Sequence, residues 1–207
     1  MVATITPTKG HAAAIIEACK AERLLRNECA YVLATAQWET AHTMEPVREA
    51  YWLSEAWRKN NLRYYPWYGR GFVQLTWRDN YERAQARLGL GTMLTDNPDA
   101  AMEPDIAADI LVLGMKEGWF TGKKLSDYIT LQRSDFRNAR RIVNAMDKAD
   151  QIATLAEDYD DWLLGDGYGV ESEEPEAPQV SEEVAALVRR IDDLEERLKA
   201  LEEWRHS

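Results

Sequence analysis

The sequence predicts a mainly α-helical protein with at most a small β element. Three observations carry that prediction. Apolar residues recur at helical spacing through most of the first 165 positions. Proline and glycine stand where helices start and stop. Alternating apolar and polar runs, which half-buried strands require, are scarce.

The elements follow in chain order. HAAAIIEACKAERLL, from His11, and ECAYVLATAQWETAH, from Glu28, both carry helical periodicity. The second is apolar nearly all round from Ala30 to Trp38, the mark of a buried central helix. Pro46 disfavours helical geometry at the residue before it, so this helix is expected to end near Glu45. The two glycines around Arg70 allow a short hairpin. PDIAADILVLGMKEG opens with Pro104 in its first turn and closes at Gly118. KADQIATLAEDYDDWLLG puts Ile152, Leu155, Tyr159 and Trp162 on one face before Gly165.

From Gly165 to Gln179 the chain reads GDGYGVESEEPEAPQ, an acidic linker with almost no large apolar side chain. Three parts result: a domain at 1–165, a linker at 166–179 and a helix at 180–205. The last part is a heptad seam. Val184, Ile191 and Leu198 occupy a positions, and Val180, Leu187, Leu194 and Leu201 occupy d. That pattern favours a parallel dimer, with a trimer as the alternative. Arg190 and Arg197 at g positions match Glu195 and Glu202 at e positions of a partner copy.

Composition narrows the function. A chain of 207 residues with 45% hydrophobic content can bury a sizeable core. Only Cys19 and Cys29 occur, which is no disulfide framework. The net charge of −11 is mostly the tail's: residues 166–207 carry −8 and residues 1–165 carry −3. A nearly balanced body argues against a nucleic-acid binder. His11, His42 and His206 are scattered, so no metal is implied, and no cofactor either. The first twenty residues show neither a signal peptide nor a membrane span. The expectation is synthesis in a reducing compartment with no stable membrane insertion; if the protein works outside the cytoplasm, something else must let it out.

Glu39 interrupts the apolar helix, and burial would disfavour its charged form, as a general acid requires. The next acids are Glu45, Glu49 and Glu55. A continuous helix would hold Glu49 about 15 Å along the axis from Glu39. Paired carboxylates in glycoside hydrolysis stand about 5–9.5 Å apart. A break at Pro46 lets the chain turn back and bring the two acids together. The bland alternative makes Glu39 a structural acid held by Arg48 or Arg70. Downstream, YYPWYGRGFVQLTWRDNY sets Tyr64, Tyr65, Trp67, Tyr68, Trp77 and Tyr81 among Gln74, Thr76 and Asn80. Aromatic rings and neutral hydrogen-bonding groups suit sugars. Gly69 and Gly71 are expected at tight turns.

These residues resemble the catalytic region of glycoside hydrolase family 19, which includes plant chitinases and a branch of phage endolysins. The matching positions are Tyr68, Gly69, Arg70, Gly71, Gln74, Leu75, Thr76, Trp77, Asn80 and Tyr81. Arg141, Ile142, Val143 and Asn144 match a later segment. The likeness covers roughly residues 25–165. It implies a lysozyme-like helical domain, with Glu39 as general acid, Glu49 as general base with inversion, and Thr76 helping to hold the water. Gln74, Asn80 and Asn144 would bind substrate, and Tyr68 and Arg70 would shape the cleft. Trp38 departs from the family's usual His. The short interval between Glu39 and Glu49 keeps Glu45 as the other candidate base. A short-looped, open cleft suits peptidoglycan glycan strands over chitin, and the missing signal peptide fits an endolysin made in the host bacterial cytoplasm and acting on the cell wall after release. The alternatives are a chitinase, a lytic transglycosylase, or a non-catalytic glycan binder made multivalent by its coiled coil.

Overall fold

A computed structural model describes residues 4–169. The heptad seam and all but the first residues of the expected linker lie outside that range. Eight α-helices occur among the described residues: α1 (Ala12–Ala21), α2 (Arg26–Glu39), α3 (Glu55–Asn61), α4 (Arg78–Leu88), α5 (Met93–Asp96), α6 (Pro104–Glu117), α7 (Phe136–Ala139) and α8 (Ala149–Gly165). Single 3-10 turns lie at Pro98–Met102, Leu125–Asp127 and Arg140–Ile142. The helical class is the one expected.

Helix α2 is the centre of the core. Every residue from Cys29 to Gln37 is buried, and α8 lies along it with Ile152, Leu155 and Tyr159 inward. Helix α1 packs against α6. A second, smaller cluster gathers Leu75, Tyr81, Ala84, Leu94 and Ile110. It joins α4 to α6, and it sits directly beneath the glutamine- and asparagine-bearing segment.

The end of α2 differs from expectation. It stops at Glu39, six residues short of Glu45. The Ala41 N–H donates to the Trp38 carbonyl at 3.2 Å and the His42 N–H to Gln37 at 2.7 Å. This is the Schellman arrangement, which normally takes glycine at its left-handed position. Here Ala41 occupies it at φ +50°. The Thr40 hydroxyl adds a bond to the Ala36 carbonyl at 2.8 Å. No glycine marked the stop, so proline was the only visible signal, and it lies too late.

Helix α8 ends in the same motif with glycine in place. Gly167, at φ +81°, donates to Leu164, and Tyr168 donates to Leu163. Tyr168 then packs on the main core, and its hydroxyl donates to the Leu24 carbonyl at 3.1 Å. Residues 166–168 therefore belong to the domain, not to the linker. The β element is also displaced. A two-stranded antiparallel hairpin pairs Ile129–Thr130 with Arg133–Ser134, whereas the segment at Arg70 makes a single bridge to Leu75.

Replacing Ala41 by glycine removes the penalty of a left-handed alanine, roughly 1 kcal/mol. Urea denaturation of Ala41→Gly is expected to show a gain of about that size. A loss of stability would mean that the turn is held by something other than backbone preference.

Candidate active site

Two stretches carry most of the site, the turn after α2 through residue 55 and the loop 64–81, and Phe120 with residues 140–144 complete it. Each carboxylate is gripped by groups from another part of the chain.

Glu39 projects from the last turn of α2, its side chain 22% exposed. A carboxylate there meets the negative end of the helix dipole, an unfavourable placement by about 0.3–1 kcal/mol. Arg140 offsets it. The Arg140 Nη1 donates to Glu39 Oε1 at 2.6 Å, and the guanidinium is 4% exposed. Its Nε donates to the Asp147 carbonyl at 3.1 Å. The Arg140 carbonyl accepts from Val143 and Asn144. So one residue holds the acid and forms the turn that follows. The surroundings of Glu39 are thus ion-paired, not the apolar surroundings expected, and its partner is neither Arg48 nor Arg70.

Those two arginines converge elsewhere. Arg48 Nη2 and Arg70 Nε each donate to Asp99 at 2.7 Å, one to each carboxylate oxygen. Arg70 is buried and lies 3.6 Å from the centre of the Tyr68 ring. It also donates to the carbonyls of Pro66 and Tyr68 and to the Tyr81 hydroxyl. Tyr68 is itself buried, and its hydroxyl donates to Glu55 at 3.0 Å. Both residues are buried, and neither lines the cavity beside Gln74.

Glu49 is held at both oxygens. The Tyr64 hydroxyl donates to Oε1 at 2.6 Å and the Gly69 N–H to Oε2 at 2.9 Å. The backbone is paired too, with the Glu49 N–H donating to the Gly69 carbonyl at 2.7 Å. Glu45 instead turns to His11, 3.0 Å away, and is exposed. Of the two candidate bases, Glu49 is the one integrated with the 64–81 loop.

That loop surrounds a cavity of about 180 Å³ lined by Val73, Gln74, Leu75, Thr76, Asn80, Phe120 and Val143. The volume is below the roughly 300–1,000 Å³ that encloses a whole small ligand, so it suits one unit of a longer one. Its lining combines the apolar Val73, Leu75, Phe120 and Val143 with the neutral polar Gln74, Thr76 and Asn80. Gln74 donates to the Val47 carbonyl at 2.9 Å, which ties the rim to the segment bearing Glu49. Thr76 donates its hydroxyl hydrogen to the Gln74 carbonyl at 2.7 Å, leaving its oxygen able to accept. Asn80 donates to the Thr76 carbonyl at 2.7 Å. Asn144 is exposed beside Val143, its Oδ1 accepting from the Ala145 N–H.

Local geometry explains two features of the motif. Gly71 has φ +83° and needs glycine for its backbone. Gly69 does not; a Cβ there would stand 2.6 Å from Gln74 Oε1, so glycine makes room for that side chain. Gln74 and Trp77 themselves hold φ of +57° and +74°. Such backbone costs about 1–3 kcal/mol per residue and concentrates at functional sites.

The sequence pattern did not single out Arg140 or Phe120, and it marked Tyr64 as an aromatic of the cluster, not as the partner of Glu49. Arg140 is buried while the adjacent Arg141 is exposed, a difference that the residue type does not signal. His42 does not reach the acids; its Nδ1 accepts from Gln37 at 3.1 Å. Among the described residues no group of His, Cys, Asp and Glu is placed to hold a metal ion. No helix among them is long and apolar enough to cross a membrane. No protein-family model matches the chain, and no curated protein matches it.

The hydrogen bond to Glu49, with burial adding to it, pushes the Tyr64 phenol up to about 12. A phenol raised by folding stabilises the fold below its unfolded value, near 10, and that contribution fades as pH rises through about 12. The absorbance titration of the wild type minus that of Tyr64→Phe is expected to show a midpoint near 12. A midpoint near 10 would mean that the Glu49 contact is absent in solution.

Proposed function

We propose that this chain is an endolysin-type peptidoglycan hydrolase that cleaves β-1,4 glycosidic bonds of the glycan strand with inversion. What supports the reading is that two carboxylates, each fixed by dedicated donors, are linked through the chain to residues lining one small cavity, although neither lines it itself. Glu39 is tied to it through the Arg140 turn that carries Val143. Glu49 is tied to it through Gly69 and the Val47–Gln74 bond. A lysozyme-like helical domain accords with the helical core and its tiny hairpin.

In this reading Glu39 protonates the glycosidic oxygen. Its Oε1 faces Arg140, and among the described residues no group bonds to Oε2, which is then the proton-bearing oxygen. Glu49 activates the water. Two donors fix its carboxylate, while each oxygen keeps a lone pair for the water proton. Thr76 offers an acceptor to the same water. Gln74, Asn80 and Asn144 bind hydroxyls and acetamides, and the walls from Val73, Leu75, Phe120 and Val143 take the ring's apolar face. Residues 180–205 join two or three copies, which raises avidity for a polymeric wall without new contacts.

Rival readings separate cleanly. A lytic transglycosylase needs only the acid, and chitin would replace peptidoglycan in a chitinase. The Arg140 ion pair is also what a purely structural Glu39 would make, and a non-catalytic glycan binder would then result.

Purified cell walls are expected to clear with the wild type. Glu39→Gln and Glu49→Gln should each lose roughly 10²–10⁴-fold. Anhydro-sugar ends from an active Glu49→Gln would establish the transglycosylase. Tight wall binding with no clearing by the wild type would establish the binder.

A further inference from the structure

Residues 49–53 form a loop whose carbonyls point at one cation. Arg58 Nη1 donates to Ala50 at 2.8 Å, to Leu53 at 2.9 Å and, at the longer distance of 3.4 Å, to Glu49 itself. Arg58 is a charged side chain only 7% exposed. Its Nε is fixed by Glu55 at 2.9 Å, and its guanidinium lies 5.3 Å from the centre of the Tyr68 ring. Burial works against charge on Glu55, but hydrogen bonds from Arg58, Tyr68 and Tyr65 outweigh it and hold that carboxyl below the usual range. Glu55 thus remains an anchor for Arg58 at neutral pH.

The loop needs such a clamp. Ala50 sits at φ +49°, a conformation alanine does not favour. Leu53 bonds back to Ala50, closing a turn that leaves Tyr51 and Trp52 about 70% exposed. With no apolar burial at its tip, the loop is anchored at Glu49 by Gly69 and closed by the Leu53–Ala50 bond, and Arg58 is the side chain that joins those two ends.

We infer that Arg58 is the positioning residue for Glu49: by gathering the carbonyls of 49, 50 and 53 it fixes the backbone from which that carboxylate reaches Tyr64 and Gly69. The inference rests on the proposed role of Glu49 as base only for its effect on rate. A lysine cannot reproduce it, because a compact ammonium lacks the planar fork that serves Glu55 and the carbonyls together.

The test is Arg58→Lys in the full chain, read by the Tyr64 phenol and by wall digestion. If Arg58 sets Glu49, the Tyr64 midpoint, obtained by difference against Tyr64→Phe in the same background, falls from about 12 toward 10. The kcat then drops by about 10²-fold, the cost of a misplacement near 1 Å, with KM within twofold. A folded variant whose Tyr64 midpoint stays near 12 overturns the inference. Should Arg58→Lys not fold, Glu55→Gln removes the anchor instead; a lowered midpoint supports the inference and an unchanged one overturns it. If the wild type cleaves no glycan, the hydrolase reading fails, while the Tyr64 midpoint still decides the role of Arg58.

Discussion

The ion pair between Arg140 and Glu39 is the joint on which the rest of the site depends. Helix α2 is buried along most of its length, and its last residue emerges carrying a carboxylate at the negative end of a helix dipole. A buried guanidinium is the counterpart that makes this placement tolerable. Arg140 cannot serve it without bringing its own turn along, and that turn delivers Val143 to the cavity. Breaking a pair of this kind by removing one partner would cost a few kcal/mol, approaching the roughly 3–5 kcal/mol of fully buried pairs.

Around that joint, nearly every polar group is committed inside the protein before any ligand arrives. Asp99 bridges Arg48 and Arg70, one to each carboxylate oxygen. Glu55 takes Arg58 and Tyr68. Tyr64 and the Gly69 N–H aim Glu49. The side chains left on the cavity rim are neutral amides and a hydroxyl. Such a rim matches a ligand rich in hydroxyls and poor in charge. Preorganisation of this sort lowers the cost of binding and of reaching the transition state, because little must move.

Much of the architecture was legible in the residues. The all-apolar run from Ala30 marked α2 as central, and Pro104 with Gly118 bounded α6. Gln74, Thr76 and Asn80 were singled out by chemistry and do share a cavity. What could not be read was long-range or glycine-free. Ala41 does the work of a glycine, so the end of α2 gave no local sign. Arg140 lies about a hundred positions from Glu39, a pairing that no pattern along the chain encodes. Gly69 looked like a turn residue but is small because Gln74 packs on it. Tyr168 looked like linker and proves to pack on the core, half-buried, with its hydroxyl bonded to Leu24, despite the glycine and acid around it.

The account's central claim is that Glu39 and Glu49 act as an acid and base on opposite faces of one sugar ring. Proton NMR of the fresh reducing end, recorded during cleavage of purified glycan strands before mutarotation, tests it most directly. Inversion of a β-linked strand predicts that the α anomer appears first. First appearance of the β anomer, or of an anhydro end, would contradict it.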